Sequence, residues 1–165
     1  MPAWYPIARV VASLLLMTIG GAGMYLAIVA LKPVAADFGV SRGAASMTYT
    51  FTMIGFGSGG ILMGLLSDRI GVMRPALVAS VCMPLGFLLA GKATSIWQLY
   101  LVHGVLIGFL GCSATFAPLI ADISHWFHRR RGLAVAFVVS GTYVAGALWP
   151  PVAQHFFDVV GWRET

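Results

Sequence analysis

The segment "GLLSDRIGVMR", Gly64–Arg74, places Asp68, Arg69 and Arg74 around Gly71, between two long stretches that carry no charge. A charged side chain at the centre of a membrane helix costs about 2.5 to 3.5 kcal/mol, so charges collect where a helix leaves the bilayer. Glycine permits the tight turn that a short connection requires. The segment therefore predicts a connection at a membrane surface, between two membrane-spanning helices.

The composition of the whole chain agrees with this interpretation. Hydrophobic residues make up 59% of the 165 residues and charged residues only 9%, which is too little polar surface to cover a water-soluble globule. Uncharged stretches long enough to cross a hydrocarbon core of about 30 Å recur along the chain. They predict five spans, at about 10–31, 44–67, 75–91, 96–121 and 132–157.

Helices are expected in all five spans, because lipid offers backbone amides no hydrogen-bond partner and the stretches lack the alternation of a barrel strand. The predicted fold class is an all-α membrane protein. A signal peptide is the alternative for the apolar stretch that follows Arg9. That stretch runs on to Leu31, which is too long for the apolar part of a signal peptide, so a first span is the better interpretation.

The orientation follows from lysine and arginine in the short loops. A cytoplasmic N-terminus puts Arg9, Arg69, Arg74, Arg129, Arg130 and Arg131 inside, and Lys32, Arg42, Lys92 and Arg163 outside. The adjacent arginines of the basic loop, 129–131, resist translocation more than scattered ones do. We expect a multi-pass protein of a cell membrane, such as a bacterial inner membrane, whose positive charge faces anionic headgroups and does not serve nucleic-acid binding.

The cysteines and most histidines point to no catalytic or metal chemistry. Cys82 and Cys112 lie far apart in different predicted spans and are expected to be small buried side chains. His125 and His128 flank Trp126 at the predicted cytoplasmic interface, with too few neighbouring ligands for a metal. The acidic residues all lie at predicted helix ends, so no nucleophile, base and orienting carboxylate can be assembled. We expect no enzyme, no metal and no cofactor.

Several glycines have the spacing of a packing motif. Gly55, Gly57 and Gly60 spell G-x-G-x-x-G, but inside a predicted helix, where the strand of a dinucleotide site is missing. Gly55 with Gly59, and Gly60 with Gly64, instead predict small-xxx-small contacts between helices. The same interpretation applies to three glycines of the fourth span, Gly104, Gly108 and Gly111.

His103 is the ionisable residue that lies well inside a predicted span, about two turns into the fourth. An ionisable group at such a depth is a functional hypothesis by default. One interpretation is a neutral histidine bonded to a neighbouring helix. The other is a proton-sensitive group on a transport pathway, since imidazole titrates near physiological pH.

The spacing G-x-x-x-D-R-x-G-x-x-R, filled by Gly64, Asp68, Arg69, Gly71 and Arg74, resembles the signature loop of the major facilitator superfamily of secondary transporters. The resemblance implies that this loop packs against helix ends of the two transporter halves and helps hold the cytoplasmic side shut. Its charges would then form a latch that opens and closes during alternating access. An ordinary charged helix boundary is the alternative that physics alone allows.

A second stretch, Pro118–Glu164, is similar to the fourth-to-sixth helix region of monocarboxylate porters and oxalate/formate exchangers. The matching elements are Pro118, Trp126, Phe127, Arg129, Arg130, Arg131, Leu133, Ala134, Gly141, a proline late in the fifth span and the run 161–163. The resemblance implies a small organic anion as substrate, with proton symport or exchange. It also implies that Tyr25 and Tyr143 lie at the depth of the substrate, although a packing role alone is the open alternative for each. The cation facing the anion would come from beyond Thr165.

Transporters of this superfamily have about twelve helices in two six-helix halves. The resemblance implies that residues 1–165 are an N-terminal transmembrane half that stops where "GWRET" opens the sixth helix, so that a C-terminal half is a partner. Two alternatives remain open. One is a carrier of another solute, such as a sugar or a drug, and the other is a membrane fragment that transports nothing.

Overall fold

The computed structural model describes residues 4–127 and 129–165, and these residues form helices without any strand. Five helical units are long and apolar enough to cross a membrane. Their bounds are Tyr5–Val29, Arg42–Ile70, Met73–Gly91, Ile96–Trp126 and Arg131–Val160. We refer to them as the first to fifth spans. The predicted all-α fold class is confirmed, and so is the expected number of helices that could span a membrane.

Two spans are built from more than one helix. The first joins Tyr5–Gly20 to Ala22–Val29, and a short helix, Leu31–Asp37, continues it. The interruption falls at Gly21, where an added Cβ would lie 2.6 Å from the Cβ of Ala145 in the fifth span. The backbone of Gly21, with ψ of −18°, is also shallower than that of a regular helix. The first span therefore changes its winding at a point of close contact with the fifth span.

The fourth span contains a π-helical stretch. It begins as Ile96–Leu101, continues as a π-helix over Val102–Cys112, and returns to α-helix over Ser113–Trp126. π-Helical turns are uncommon and cluster at functional sites. His103 lies in this stretch, and the second and third spans both pack against it.

The second and fourth spans approach each other through glycine. An added Cβ on Gly55 would clash with the carbonyl oxygen of Gly104, and one on Gly59 would lie 2.5 Å from the carbonyl oxygen of Phe109. The predicted packing role of Gly55 and Gly59 therefore fits the structure. The prediction for Gly60 and Gly64 does not, because an added Cβ there would have no atom within 4 Å in the described structure. These two glycines lie on a helix face that no other described span covers.

The helices run past the ends of the predicted spans. Asp68 and Arg69 still belong to the second span, which ends at Ile70, and Asp122 belongs to the fourth. Charged side chains are expected where a helix leaves the hydrocarbon. A helix can continue from there into the headgroup region, where water hydrates its charged side chains. The connection between the second and third spans therefore shrinks to Gly71 and Val72.

The spans run up and down, so each end of the bundle collects distant parts of the chain. One end, which we call the Asp68 end, holds residues 4–9, 68–74, 122–127 and 129–131. The other, the Arg163 end, holds residues 31–45, 91–99 and 157–165. A cluster of Met17, Leu119, Ile123 and Val138 fills the core nearer the Asp68 end, and Val34, Ala45, Ala90 and Leu99 belong to a cluster at the Arg163 end.

Candidate functional site

The charges of the 64–74 segment all face outward at the Asp68 end. Asp68, Arg69 and Arg74 are exposed, and none of them belongs to an ion pair within residues 4–127 and 129–165. Gly71 ends the second span with φ of +81°, a conformation that favours glycine, and its N–H donates to the carbonyl of Ser67 at 2.9 Å. The segment thus exposes side chains of both charges at the end of a helix, and these side chains form no ion pair with each other or with other described residues.

The basic loop lies at the same end. Arg129 and Arg130 are exposed residues of a turn, and the exposed Arg131 begins the fifth span. Cations at a helix N-terminus oppose the helix dipole, so these arginines do not stabilise the helix they precede. Their position at an end of the bundle fits contact with anionic headgroups or with an acidic partner. His128, predicted to lie at this interface, falls outside the described residues.

An ion pair that the sequence analysis missed joins the first and fourth spans at this end. A guanidinium nitrogen of Arg9 lies 3.5 Å from a carboxylate oxygen of Asp122. The same guanidinium lies over the ring of Trp126, 4.5 Å from its centroid, and Tyr5 packs against that ring. The sequence contains one indication of this cluster. Tyr5 and Arg9 are four residues apart and so share a face of the first span, and Asp122 and Trp126 share a face of the fourth span for the same reason.

His103 is buried, with 7% of its surface exposed. Its Nδ1 lies 3.1 Å from the carbonyl oxygen of Leu99. Since a carbonyl only accepts, Nδ1 carries the proton of this bond and Nε2 is left to other partners. The expected bond to a neighbouring helix is therefore wrong, because the partner of His103 lies one turn earlier in its own span.

His103 lines a cavity of about 160 Å³ at the Arg163 end. The walls come from the first four spans, and Phe157, Trp162 and Arg163 close it from the end of the chain. Apart from His103, the side chains with polar atoms among the lining residues are Thr48, Trp162, Arg163 and Thr165. We call this space the Arg163 cavity.

The structure does not bring the two predicted tyrosines to His103. Tyr25 is half-buried and packs on the fifth span, where an added Cβ on Gly146 would lie 2.7 Å from its Cζ. Tyr143 is 74% exposed on the face of the fifth span that the described helices leave uncovered. Neither tyrosine lines the Arg163 cavity. His103 and the tyrosines therefore belong to separate regions.

The expected burial of the two cysteines holds for Cys112 and not for Cys82. Cys112 is buried and its thiol lies 3.5 Å from the carbonyl oxygen of Gly20, whereas Cys82 is half-buried on the third span. Both are free thiols. His125 is exposed at the end of the fourth span.

Residues 12–165 match the family model of the Major Facilitator Superfamily. Among curated relatives, monocarboxylate transporter 12 of Mus musculus is 33% identical over 129 residues, which cover 78% of this chain and 26% of that protein. Monocarboxylate transporter 11 of Homo sapiens is 38% identical over 98 residues, or 59% of this chain and 21% of that protein. The MFS-type transporter pynF of Aspergillus niger is 34% identical over 107 residues, with coverages of 65% and 24%.

This chain spans only part of the length of these relatives, between 21% and 26% of the three proteins just named. The family model, in contrast, reaches from the first span to Thr165, and so includes all the regions from which both resemblances were drawn. The five apolar spans and this match lead to one conclusion: the chain belongs to the Major Facilitator Superfamily.

Proposed function

We propose that this chain forms part of a secondary transporter that moves small organic anions of the monocarboxylate type across a cell membrane. The observation that carries the proposal is the 33% identity to monocarboxylate transporter 12 of Mus musculus over 129 residues, because it spans 78% of this chain. The proposed mechanism is alternating access, in which two helical bodies rock about a central site. Residues 1–165 would supply most of one body, and a C-terminal half would supply the other.

The charges at the Asp68 end support a gate between the two bodies. Asp68, Arg69 and Arg74 project from the end of a long helix and have no ion-pair partner in the described part of the chain. Partners on a second body would hold this end shut, and their separation would open it. With a cytoplasmic N-terminus, this gate closes the inner side.

The uncovered face of the fifth span supports the position of the second body. Tyr143 is 74% exposed there, and the neighbouring Val144 is 45% exposed. A tyrosine hydroxyl facing lipid lacks the hydrogen-bond partner that a polar central site would offer. We place the substrate between this face and the second body. The cationic side chain that binds the anion would lie on the second body, since every lysine and arginine of this chain lies outside the uncharged stretches.

Proton coupling is the second part of the proposal, and His103 is its candidate residue. The histidine is buried in the π-helical stretch and lines a cavity that reaches the Arg163 end. A proton taken up there would change the charge of the fourth span, against which the second and third spans pack. Proton symport and anion exchange both remain compatible with the anion substrate.

A carrier for a different solute is the second candidate function. It rests on the 34% identity to the MFS-type transporter pynF of Aspergillus niger, whose name specifies no substrate. A sugar or a drug would need no cation in the second body. The substrate panel of any test therefore has to include neutral solutes.

Uptake by cells that lack their own lactate carrier tests the proposal. The cells would express the complete open reading frame that contains residues 1–165 and would receive labelled lactate, pyruvate, oxalate, formate and glucose. Saturable uptake of one or more anions, with none of glucose, supports the anion carrier. Uptake of glucose alone would favour the second candidate, and no uptake of any compound despite membrane insertion would contradict both.

A further inference from the structure

The Arg163 cavity contains a buried hydroxyl that lacks a partner. Thr48 is 4% exposed, and its Oγ1 makes no hydrogen bond within residues 4–127 and 129–165. Thr52, one turn later in the same span, donates to the carbonyl of Thr48 at 2.9 Å, as membrane-buried threonines commonly do. Thr48 does not follow this pattern.

Tyr100 explains why Thr48 departs from it. The acceptor one turn before Thr48 is the carbonyl oxygen of Ala44, and the hydroxyl of Tyr100 in the fourth span donates to that oxygen at 2.5 Å. The hydroxyl of Thr48 is left to find its partner in the cavity that Thr48 lines. A buried hydroxyl without any hydrogen bond is unfavourable, so native proteins satisfy such groups with side chains or with water.

His103 contributes a second polar group to the same cavity. Its Nδ1 bonds to Leu99, which directs the proton of the neutral ring to that nitrogen. Nε2 is then an acceptor, and His103 lines the cavity together with apolar residues such as Leu26, Ala27 and Phe87. A hydroxyl and an unprotonated ring nitrogen thus line the same, mostly apolar space.

We propose that the Arg163 cavity is a water-binding site, in which a small water cluster bridges the hydroxyl of Thr48 and Nε2 of His103. A single buried water needs only about 10 to 15 Å³ of such space and two to four polar partners. A volume of about 160 Å³ accommodates several waters. The proposal concerns hydration and does not depend on which solute is transported.

Segment 161–163 contributes the wall of the cavity at the Arg163 end, through Trp162 and Arg163. Gly161, with φ of +86°, turns the chain back over the bundle, and Trp162 packs against Phe38 with ring centroids 6.2 Å apart. Arg163 then holds residues 161–163 against the bundle, since its Nε lies 2.7 Å from Oδ2 of Asp37 and its Nη1 donates to the carbonyl of Gly91 at 2.9 Å. The segment 161–163 is therefore the cover of the site at the Arg163 end.

Water contact can be measured on the whole chain in lipid bilayers by solid-state NMR, with labelled histidine and threonine. Magnetisation transferred from water should reach His103 nearly as fast as it reaches the exposed His155, and much faster than it reaches the buried Thr52. His103→Gln assigns the signal. Transfer to His103 as slow as that to Thr52 would overturn the proposal without any further variant.

Two substitutions at Thr48 test the bridge. Thr48→Val keeps the shape and removes the hydroxyl, so transfer to His103 should slow at least threefold, whereas Thr48→Ser should leave it near the parent rate. If Thr48→Val does not insert, Thr48→Ala serves in its place. Equal transfer in the apolar and the hydroxyl-bearing variants would contradict the bridge.

Thiol labelling tests the cover. Thr48→Cys would be made in a background of Cys82→Ser and Cys112→Ala and treated with a charged, water-soluble methanethiosulfonate. Removal of the ion pair by Asp37→Asn should speed labelling at least tenfold. The matched control is Asp158→Asn, an exposed acid near the same end, which should leave the rate unchanged. Equal rates in the two variants would overturn the role of segment 161–163.

Discussion

Asp37 and Arg163 lie 126 positions apart in the sequence, yet the Nε of Arg163 is 2.7 Å from Oδ2 of Asp37. The same guanidinium donates through Nη1 to the carbonyls of Gly91 and Ala93, at 2.9 and 2.8 Å. One side chain therefore ties the end of the fifth span to the end of the first and to the connection after the third. Its planar fork of donors suits this arrangement, which the single ammonium of lysine does not match.

The first prediction concerns this junction. Arg163→Ala should lower the free energy of unfolding by about 1 to 2 kcal/mol, because it removes one exposed ion pair and two charge-assisted hydrogen bonds. Arg163→Lys should recover less than half of that loss. Unfolding in detergent measures both, with Lys92→Ala as an exposed basic control at the same end. A lysine variant as stable as the parent would show that charge alone matters.

The second prediction concerns the glycines of the second span. Gly55→Ala should destabilise the bundle by more than 1 kcal/mol, since its Cβ would meet the backbone of the fourth span at Gly104. A Cβ added at Gly57 or Gly60 would have no atom within 4 Å in the described structure. Gly57→Ala and Gly60→Ala should therefore be neutral or stabilising, because alanine favours helix. Thermal unfolding of the three variants in detergent decides the matter. Equal effects would contradict the close crossing of these spans.

These glycines also show what the sequence can and cannot specify. Spacing places Gly60 and Gly64 on one helix face, but it does not say whether another helix covers that face, and here none of the described spans does. The five spans themselves were predictable, because the thickness of a bilayer fixes their length and excludes charge from their centres. The helix ends were not, because helices continue beyond the hydrocarbon.

Long-range polar contacts were beyond prediction for a different reason. The pair of Asp37 and Arg163 depends on how five helices pack, and no local spacing encodes it. The hydroxyl of Thr48 has no partner within the described residues, and Tyr100, from another span, donates to the carbonyl of Ala44; local spacing encodes neither fact. His103 was predictable as a residue of interest from its depth alone, whereas its bond to Leu99 was not.

The third prediction concerns the proposed gate. In the complete open reading frame, Asp68→Asn should reduce the maximal rate of anion uptake at least fivefold with near-normal membrane insertion, because an exposed charge matters little for burial but much for a charge-paired gate. Asp158→Asn, an exposed acid at the opposite end, is the matched control. Uptake equal to the parent at matched expression would reduce Asp68 to a marker of the membrane boundary.

The fourth prediction concerns proton coupling. If His103 carries the coupled proton, His103→Gln should flatten the pH dependence of uptake measured between about pH 5 and 8, because a glutamine side chain cannot take up a proton as imidazole does. A packing role would lower uptake by a similar factor at every pH. Initial uptake rates across this range, with His155→Gln as the exposed control, distinguish the two. A profile of unchanged shape would contradict the coupling role.

The central claim is that the five spans form one of two bodies of an anion carrier, and reconstitution in liposomes tests it most directly. One preparation would contain residues 1–165 alone and the other the complete open reading frame, both given labelled lactate, pyruvate, oxalate and formate under a proton gradient. We expect saturable uptake only with the complete protein, because alternating access needs two bodies. Saturable uptake by residues 1–165 alone, abolished by Asp68→Asn, would contradict the account.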